Sequence, residues 1–133
     1  MEKAVSGIVL ILLILISPLT LALNIHPVRA WSGGTVYIMA DGSVYPPDAP
    51  ISTVDYIAYI LTGDINSYAD GIVVERDNII INGAGYTLQG PGYRKGIDLS
   101  GRTNVTVQNI QINSFYSGVW LYGSSKTALS EIT

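Results

Sequence analysis

The chain has 133 residues, with 7 Lys and Arg, 10 Asp and Glu, one His and no Cys, for a net charge of −3. The lack of cysteine excludes a disulfide framework, a thiolate nucleophile, a thiolate zinc site and an iron–sulfur cluster, and the mild acidity leaves no basic stripe to displace the counterions of a nucleic acid. Charged residues are 13% of the chain, against the ~25% of ordinary soluble domains, and hydrophobic residues are 48%, so something other than a charged surface dominates the sequence.

Much of that hydrophobicity lies at the start. Lys3 follows Glu2 in a weakly basic head, Ile8 to Ile16 form an unbroken aliphatic run, and Leu19 to Leu23 continue it beyond Ser17 and Pro18. This reads as a secretory signal peptide over residues 1–30. Pro18 breaks the run, and Val28 and Ala30 are small enough for the −3 and −1 positions of a cleavage site. The alternative is an uncleaved anchor, although Ile8 to Leu23 falls slightly short of the ~17 to 25 residues of a spanning helix. Either way the remainder is expected outside the cytoplasm: secreted, extracellular, or at the cell surface or periplasm. Cleavage after Ala30 also removes His26, the only histidine.

From Trp31 onward Val, Ile, Thr and Tyr predominate, punctuated by Gly, Asn and Ser, a strand-and-turn composition. Gly34 to Met39 reads as a strand, Asp41-Gly42 as a tight turn, and Tyr45 to Pro50, rich in proline, as a rigid extended link barred from a central ladder. Asp55 to Leu61 and Asp64 to Tyr68 make a strand, turn and strand approach. Residues 31–69 are therefore expected to form an N-terminal β cap.

Beyond it the sequence repeats. Gly71-Ile72-Val73-Val74, Gly96-Ile97-Asp98-Leu99 and Gly118-Val119-Trp120-Leu121 share a glycine, an apolar residue, a variable residue and a second apolar residue. A second strand follows each: Asn78 to Ile81, Asn104 to Val107 and Lys126 to Leu129. A third comes from Tyr86 to Leu88, Ile110 to Ile112 and Ile132-Thr133. Every position from Gly96 to Gln111 maps 22 residues on without a gap, whereas the first coil differs by a Gly83-Ala84 insertion and a longer Pro91-Gly92-Tyr93 loop. Strand alternation turns Ile72, Val74, Ile97, Leu99, Val119 and Leu121 inward and Val73, Asp98 and Trp120 outward. Stacked coils would align Ile72/Ile97/Val119, Val74/Leu99/Leu121, Ile81/Val107/Leu129 and Tyr86/Ile110/Ile132. This predicts an all-β parallel β-helix, or solenoid, over residues 70–133, with about three coils and the last truncated. A leucine-rich repeat lacks its Leu-x-x-Leu-x-Leu frame here. An antiparallel sandwich is the remaining alternative. With an open apolar edge at Thr133, the chain reads as an N-terminal fragment, its last coil exposed to end-to-end self-association.

The stretches 34 to 51, 59 to 65, 79 to 90, 98 to 110 and 118 to 125, among them Ile79-Ile80-Ile81-Asn82-Gly83-Ala84-Gly85-Tyr86-Thr87-Leu88-Gln89-Gly90, resemble the opening of secreted right-handed parallel β-helix proteins. The nearest group is the NosD-like repeat family within the pectin-lyase-like superfamily. The resemblance covers residues 34 to 133 and implies a right-handed helix. It also raises two chemistries. Copper, the family's namesake cargo, prefers imidazole and sulfur, and the segment after Ala30 offers only Met39, so no cofactor is expected from these residues; calcium or copper would enter only through further coils. Polysaccharide cleavage would need acidic residues beside a basic one, for which Asp98 and Arg102 are the weak candidates, with Glu75, Arg76, Arg94 and Lys95 nearby. An outward Asp beside Arg is more commonly a surface ion pair.

Outward aromatics suggest a different use. Trp120, Tyr122, Tyr116 and Tyr93, with Phe115, are candidates for stacking on sugar rings, or else cover a strand corner or meet a neighbouring chain. Asn78 and Asn104 share a turn position and are expected to bond along a ladder; burial there would close the Asn104-Val105-Thr106 glycosylation pattern to modification. Gly83 to Leu88 faintly matches a calcium-binding repeat, but Thr87 stands where the ligating Asp should, and it reads as a loop insertion. The sequence thus leads to the expectation of an exported, non-catalytic binding or structural module for glycans or cell-envelope partners. The alternatives are a lyase or hydrolase with its site on missing coils and a copper-binding maturation accessory.

Overall fold

The fold comes from a computed structural model, which describes residues 30–133. The expected leader, through Arg29, lies outside the described residues. In chain order the strands are β1 (Trp31–Gly33), β2 (Val36–Ile38), β3 (Val44–Tyr45), β4 (Ile51–Ser52), β5 (Ala58–Leu61), β6 (Ile65–Ser67), β7 (Ile72–Val74), β8 (Ile79–Asn82), β9 (Thr87–Gln89), β10 (Lys95–Asp98), β11 (Val105–Asn113), β12 (Ser117–Trp120) and β13 (Ala128–Ile132). No helix occurs among the described residues.

Neighbouring turns run parallel and in the register that the repeat dictates. Ile97 faces Ile72 on one side and Val119 on the other, and Val107 lies between Ile81 and Leu129. One sheet has the order β12-β10-β7-β2-β3, and the second is folded around the long β11, with order β1-β6-β9-β11-β8-β5-β4 and β13 also paired to β11. The chain is therefore a β-solenoid of about three turns. Parallel pairing of successive turns disposes of the sandwich alternative, whose hairpin-linked strands would run antiparallel.

Inward residues make one continuous core. Ile72, Ile97, Leu99, Val105, Val107, Ile81 and Leu88 are completely buried, and Phe115, Val119, Ile112 and Ile132 pack against them while partly exposed. The glycines that open the first two repeats, Gly71 and Gly96, sit where two walls meet. A Cβ on Gly71 would lie 2.9 Å from Leu88 Cδ2, and one on Gly96 would lie 2.8 Å from Ile112 Cγ2, each also colliding with the carbonyl oxygen of the glycine one turn on.

Several details depart from the sequence expectation. Stacking begins before Gly71: β2, β5 and β6 already lie parallel to β7, β8 and β9, so the strands expected only to approach the coils are wound into them. The second and third strands of the middle turn are one strand, β11, which bends at Asn109 (φ 52°) instead of breaking. Tyr86 is 38% exposed although its ladder mates Ile110 and Ile132 point inward. Gly83 to Tyr86 close a turn through Tyr86 N–H to Gly83 O (2.9 Å) and swing the ring outward, while Gly83 lies against Ile110. Leu121 and Leu129 keep the expected register but are 43% and 44% exposed, because no described turn covers them. Phe115 packs inward over Gly90 and leaves the outward aromatic set.

The amide ladder is present: Asn104 Nδ2 donates to Asn78 Oδ1 at 3.0 Å. Both residues are solvent-exposed, which corrects the expected burial and removes burial as an obstacle to modification at Asn104.

Candidate functional site

The outer face of the five-stranded sheet collects the chemistry. Alternation buries Val36 and Ile38 and leaves Tyr37 facing out, and cross-strand register then fixes a row: Tyr45 opposite Tyr37, Tyr37 beside Val73, Val73 beside Asp98 and Asp98 beside Trp120. The row crosses all five strands, with aromatic rings at both ends.

Lys95 joins it because alternation fails at the start of β10. Gly96 and Ile97 are both buried, so Lys95 and Asp98 emerge on the same side. Lys95 Nζ lies 2.9 Å from Asp98 Oδ2 and 4.9 Å from the centroid of the Trp120 ring. An ammonium held over an indole in this way contributes about 0.5–1 kcal/mol at an exposed site. The other Asp98 oxygen accepts from Ser100 N–H at 2.9 Å and from the Ser100 hydroxyl. Partial burial pushes the Asp98 carboxyl up, but the hydrogen bonds from Ser100 and Lys95, with the lysine charge, outweigh it and hold the group below its ordinary value. That is the wrong direction for a proton donor near neutrality.

Arg102 is not beside Asp98. Its guanidinium lies 3.5 Å from Asp77 Oδ1 and reaches Ser100 O at 3.4 Å, and Asp77 also accepts from Thr103 N–H at 3.0 Å. Arg102 braces a corner. Arg76 does the same, donating to Tyr56 O (3.1 Å) and Ala40 O (2.9 Å), and Glu75 is exposed on the adjoining turn. Asp98 and Arg102 thus make no direct bond and are linked through Ser100, whose hydroxyl donates to Asp98 and whose carbonyl accepts from Arg102, while Arg76 is engaged at another corner.

The aromatic candidates divide as well. Tyr93, 56% exposed, lies under the Arg94 guanidinium at 5.8 Å, and Tyr116, 83% exposed, donates its backbone N–H to Arg94 O, so these two share the corner that leads into β10 and β12. Tyr122, 75% exposed, lies past the other end of β12, where its carbonyl accepts from Gly101 N–H. Trp120 is half-buried, with Lys95 against it.

Sequence reasoning missed Tyr37 and Tyr45. The alternation Val36-Tyr37-Ile38 marks Tyr37 as outward, but its alignment with Trp120 depends on pairing of β2 with β7, upstream of the recognisable repeat. Among the described residues no three His, Cys, Asp or Glu side chains converge as a metal site, and no pocket encloses a ligand-sized volume. A ligand of this face would lie across it.

The architecture defines the chain as a β-solenoid protein with an open, aromatic-ended sheet face. Comparison with models of protein families, with curated proteins and with solved structures yields no match in any of the three.

Proposed function

We propose that the chain is an exported, NosD-like β-helix module of the pectin-lyase-like kind, whose outer sheet face serves as a non-catalytic binding or structural surface for glycans or cell-envelope partners. One observation carries the reading: the row Tyr45, Tyr37, Val73, Asp98 and Trp120, with Lys95 against the indole. Flat aromatic faces suit the apolar faces of sugar rings, and an ion pair between them suits hydroxyl groups. Right-handed winding follows from the general handedness of parallel crossovers. The antiparallel β3 and β4, with β1, act as the cap, since they occupy sheet edges that would otherwise recruit other strands. Export is supported by the apolar run at residues 8–23, broken by Pro18, and by the small residues Val28 and Ala30 ahead of Trp31.

The test is depletion of the purified protein by a panel of neutral and acidic polysaccharides. Binding that weakens about tenfold or more in Trp120→Ala and Tyr37→Ala supports the reading. Release of unsaturated or reducing ends, or binding indifferent to both substitutions on every polysaccharide of the panel, overturns it. Sequencing the exported product from its N-terminus is expected to begin at Trp31.

A further inference from the structure

The second face of the solenoid that carries distinctive chemistry is the wall formed by β1, β6, β9 and the C-terminal half of β11. Its outward residues are also in register: Ser32 beside Asn66, Asn66 beside Gln89 and Gln89 beside Asn113, with Thr87 beside Gln111 in the next row. Four successive rungs thus present a hydroxyl or a carboxamide, and the ionisable group in register with them, Asp64 opposite Thr87, is a carboxylate at the edge of the second row. Asp64, at the edge, already accepts from Thr87 N–H at 2.8 Å. Gln89 and Gln111 reach only adjacent carbonyls, those of Gly90 (3.2 Å) and Gly85 (3.4 Å). Ser32, Asn66 and Asn113 are exposed, and their side chains have no hydrogen-bond partner among the described residues.

We infer that this amide wall binds an uncharged, hydroxyl-rich polysaccharide chain laid along the stacking axis. Each carboxamide offers donors and an acceptor, as each sugar hydroxyl does, so the two arrays can satisfy one another rung by rung. The ladder spacing of about 4.8 Å per strand is close to the length of a pyranose unit in an extended chain. Charge decides against an acidic polymer, because the wall supplies no cation and the chain carries a net charge of −3. Area decides against a second copy of the chain. Three ladder intervals by three strand residues span about 14 Å by about 10 Å, far below the roughly 800 Å² that each partner of a standard interface buries. A narrow linear ligand fits that strip. This inference stands apart from the aromatic face, which lies on a different sheet.

The experiment measures depletion of the purified protein by amorphous cellulose and by chitin, with soluble polygalacturonate as the acidic control. Asn66→Asp combined with Asn113→Asp keeps the shape and introduces charge, and Gln89→Ala removes one rung without charge. Because these side chains lie on the outer surface, unfolding midpoints close to wild type are expected and serve as the control. The inference predicts retention on at least one neutral polysaccharide, no binding to polygalacturonate, at least tenfold weaker retention for the double variant, a smaller loss for Gln89→Ala, and a change within twofold for Trp120→Ala. Absence of wild-type retention on both neutral polymers overturns it, as does retention unaffected by the double variant. Retention lost in Trp120→Ala but kept in the double variant assigns binding to the aromatic face alone and also overturns it. A dimer in sedimentation that the double variant dissociates, without polysaccharide retention, makes the wall a self-association surface and overturns it too.

Discussion

A side chain on Gly96 would meet the Gly118 carbonyl oxygen and, at 2.8 Å, Ile112 Cγ2, yet Gly118, at the same position one turn on, has only Ile112 Cγ2 at 3.8 Å. Neither residue has a positive φ, so the glycines mark close approach of walls and not a special backbone conformation. Gly96→Ala is therefore expected to cost about 1–3 kcal/mol, as overpacking does, and Gly118→Ala to stay within about 0.5 kcal/mol; urea unfolding of the two variants distinguishes them. The repeated glycine was legible in the sequence as a pattern, whereas its cause needed the coordinates of the next turn. Asp98 makes a second residue-scale prediction. Its carboxyl is held below the ordinary value of 3.8, with burial opposing and the Ser100 and Lys95 hydrogen bonds prevailing. A depressed folded-state pKa contributes stability that is complete above the unfolded value and is lost as pH falls through the folded one. Wild type should lose more stability than Asp98→Asn on going from about pH 5 to about pH 2, a comparison made by denaturant midpoints at each pH. Parallel curves would show that Asp98 contributes nothing through its charge.

At the scale of the element, one corner recurs in every turn. Tyr56, Asn78, Asn104 and Lys126, which precede β5, β8, β11 and β13, have φ of 58°, 60°, 57° and 51°. The left-handed conformation costs an ordinary L-residue roughly 1–2 kcal/mol, and asparagine bears it best. The two central turns carry asparagine and connect its amides at 3.0 Å, but the outer two carry tyrosine and lysine. Lys126→Asn is expected to extend the ladder and raise stability by about 1 kcal/mol, and Asn104→Ala to lower it by about 1–2 kcal/mol by losing both the bond and the tolerant residue. Thermal or urea midpoints check both, and an unchanged Lys126→Asn variant would mean that corner strain is relieved in another way. The same elements show how far the sequence could be read. Offsets between like residues predicted the pairing of β7, β8, β10, β11, β12 and β13, because a repeat states its own register. Upstream of Gly71 the repeat fades, and strands of two to four residues carry too little pattern to fix a partner, so the place of Tyr37 and Tyr45 in the aromatic row stayed hidden. The Lys95–Asp98 pair was hidden for another reason: strict alternation would put residues three apart on opposite faces, and only burial of both Gly96 and Ile97 brings them together.

Among the described residues each turn pairs with its immediate neighbours, so stability is expected to be distributed as in other one-dimensional stacks, as a sum of turn and interface contributions. Burial is graded accordingly. Ile72 and Ile97 are completely enclosed between turns, whereas Leu121 and Leu129 in the last described turn are 43% and 44% exposed. At the other end β3 and β4 pair antiparallel to β2 and β5, so those edges already have partners. Removing an enclosed side chain takes away contacts with the turns on both sides: Ile97→Ala should cost about 2–5 kcal/mol, and Leu121→Ala about 1 kcal/mol or less. Exchange of backbone amides provides the sharper measurement, because it resolves local opening from global unfolding. Amides of β12 and β13 need only one interface to open and should exchange first. Those of β7, β8 and β9, held by a turn on each side, should exchange only with a larger opening, and Ile97→Ala should bring their rates towards those of β12 and β13. Uniform protection from β2 to β13, unchanged in pattern by Ile97→Ala, would mean that the described turns unfold as a single unit and that nearest-neighbour coupling does not govern this chain.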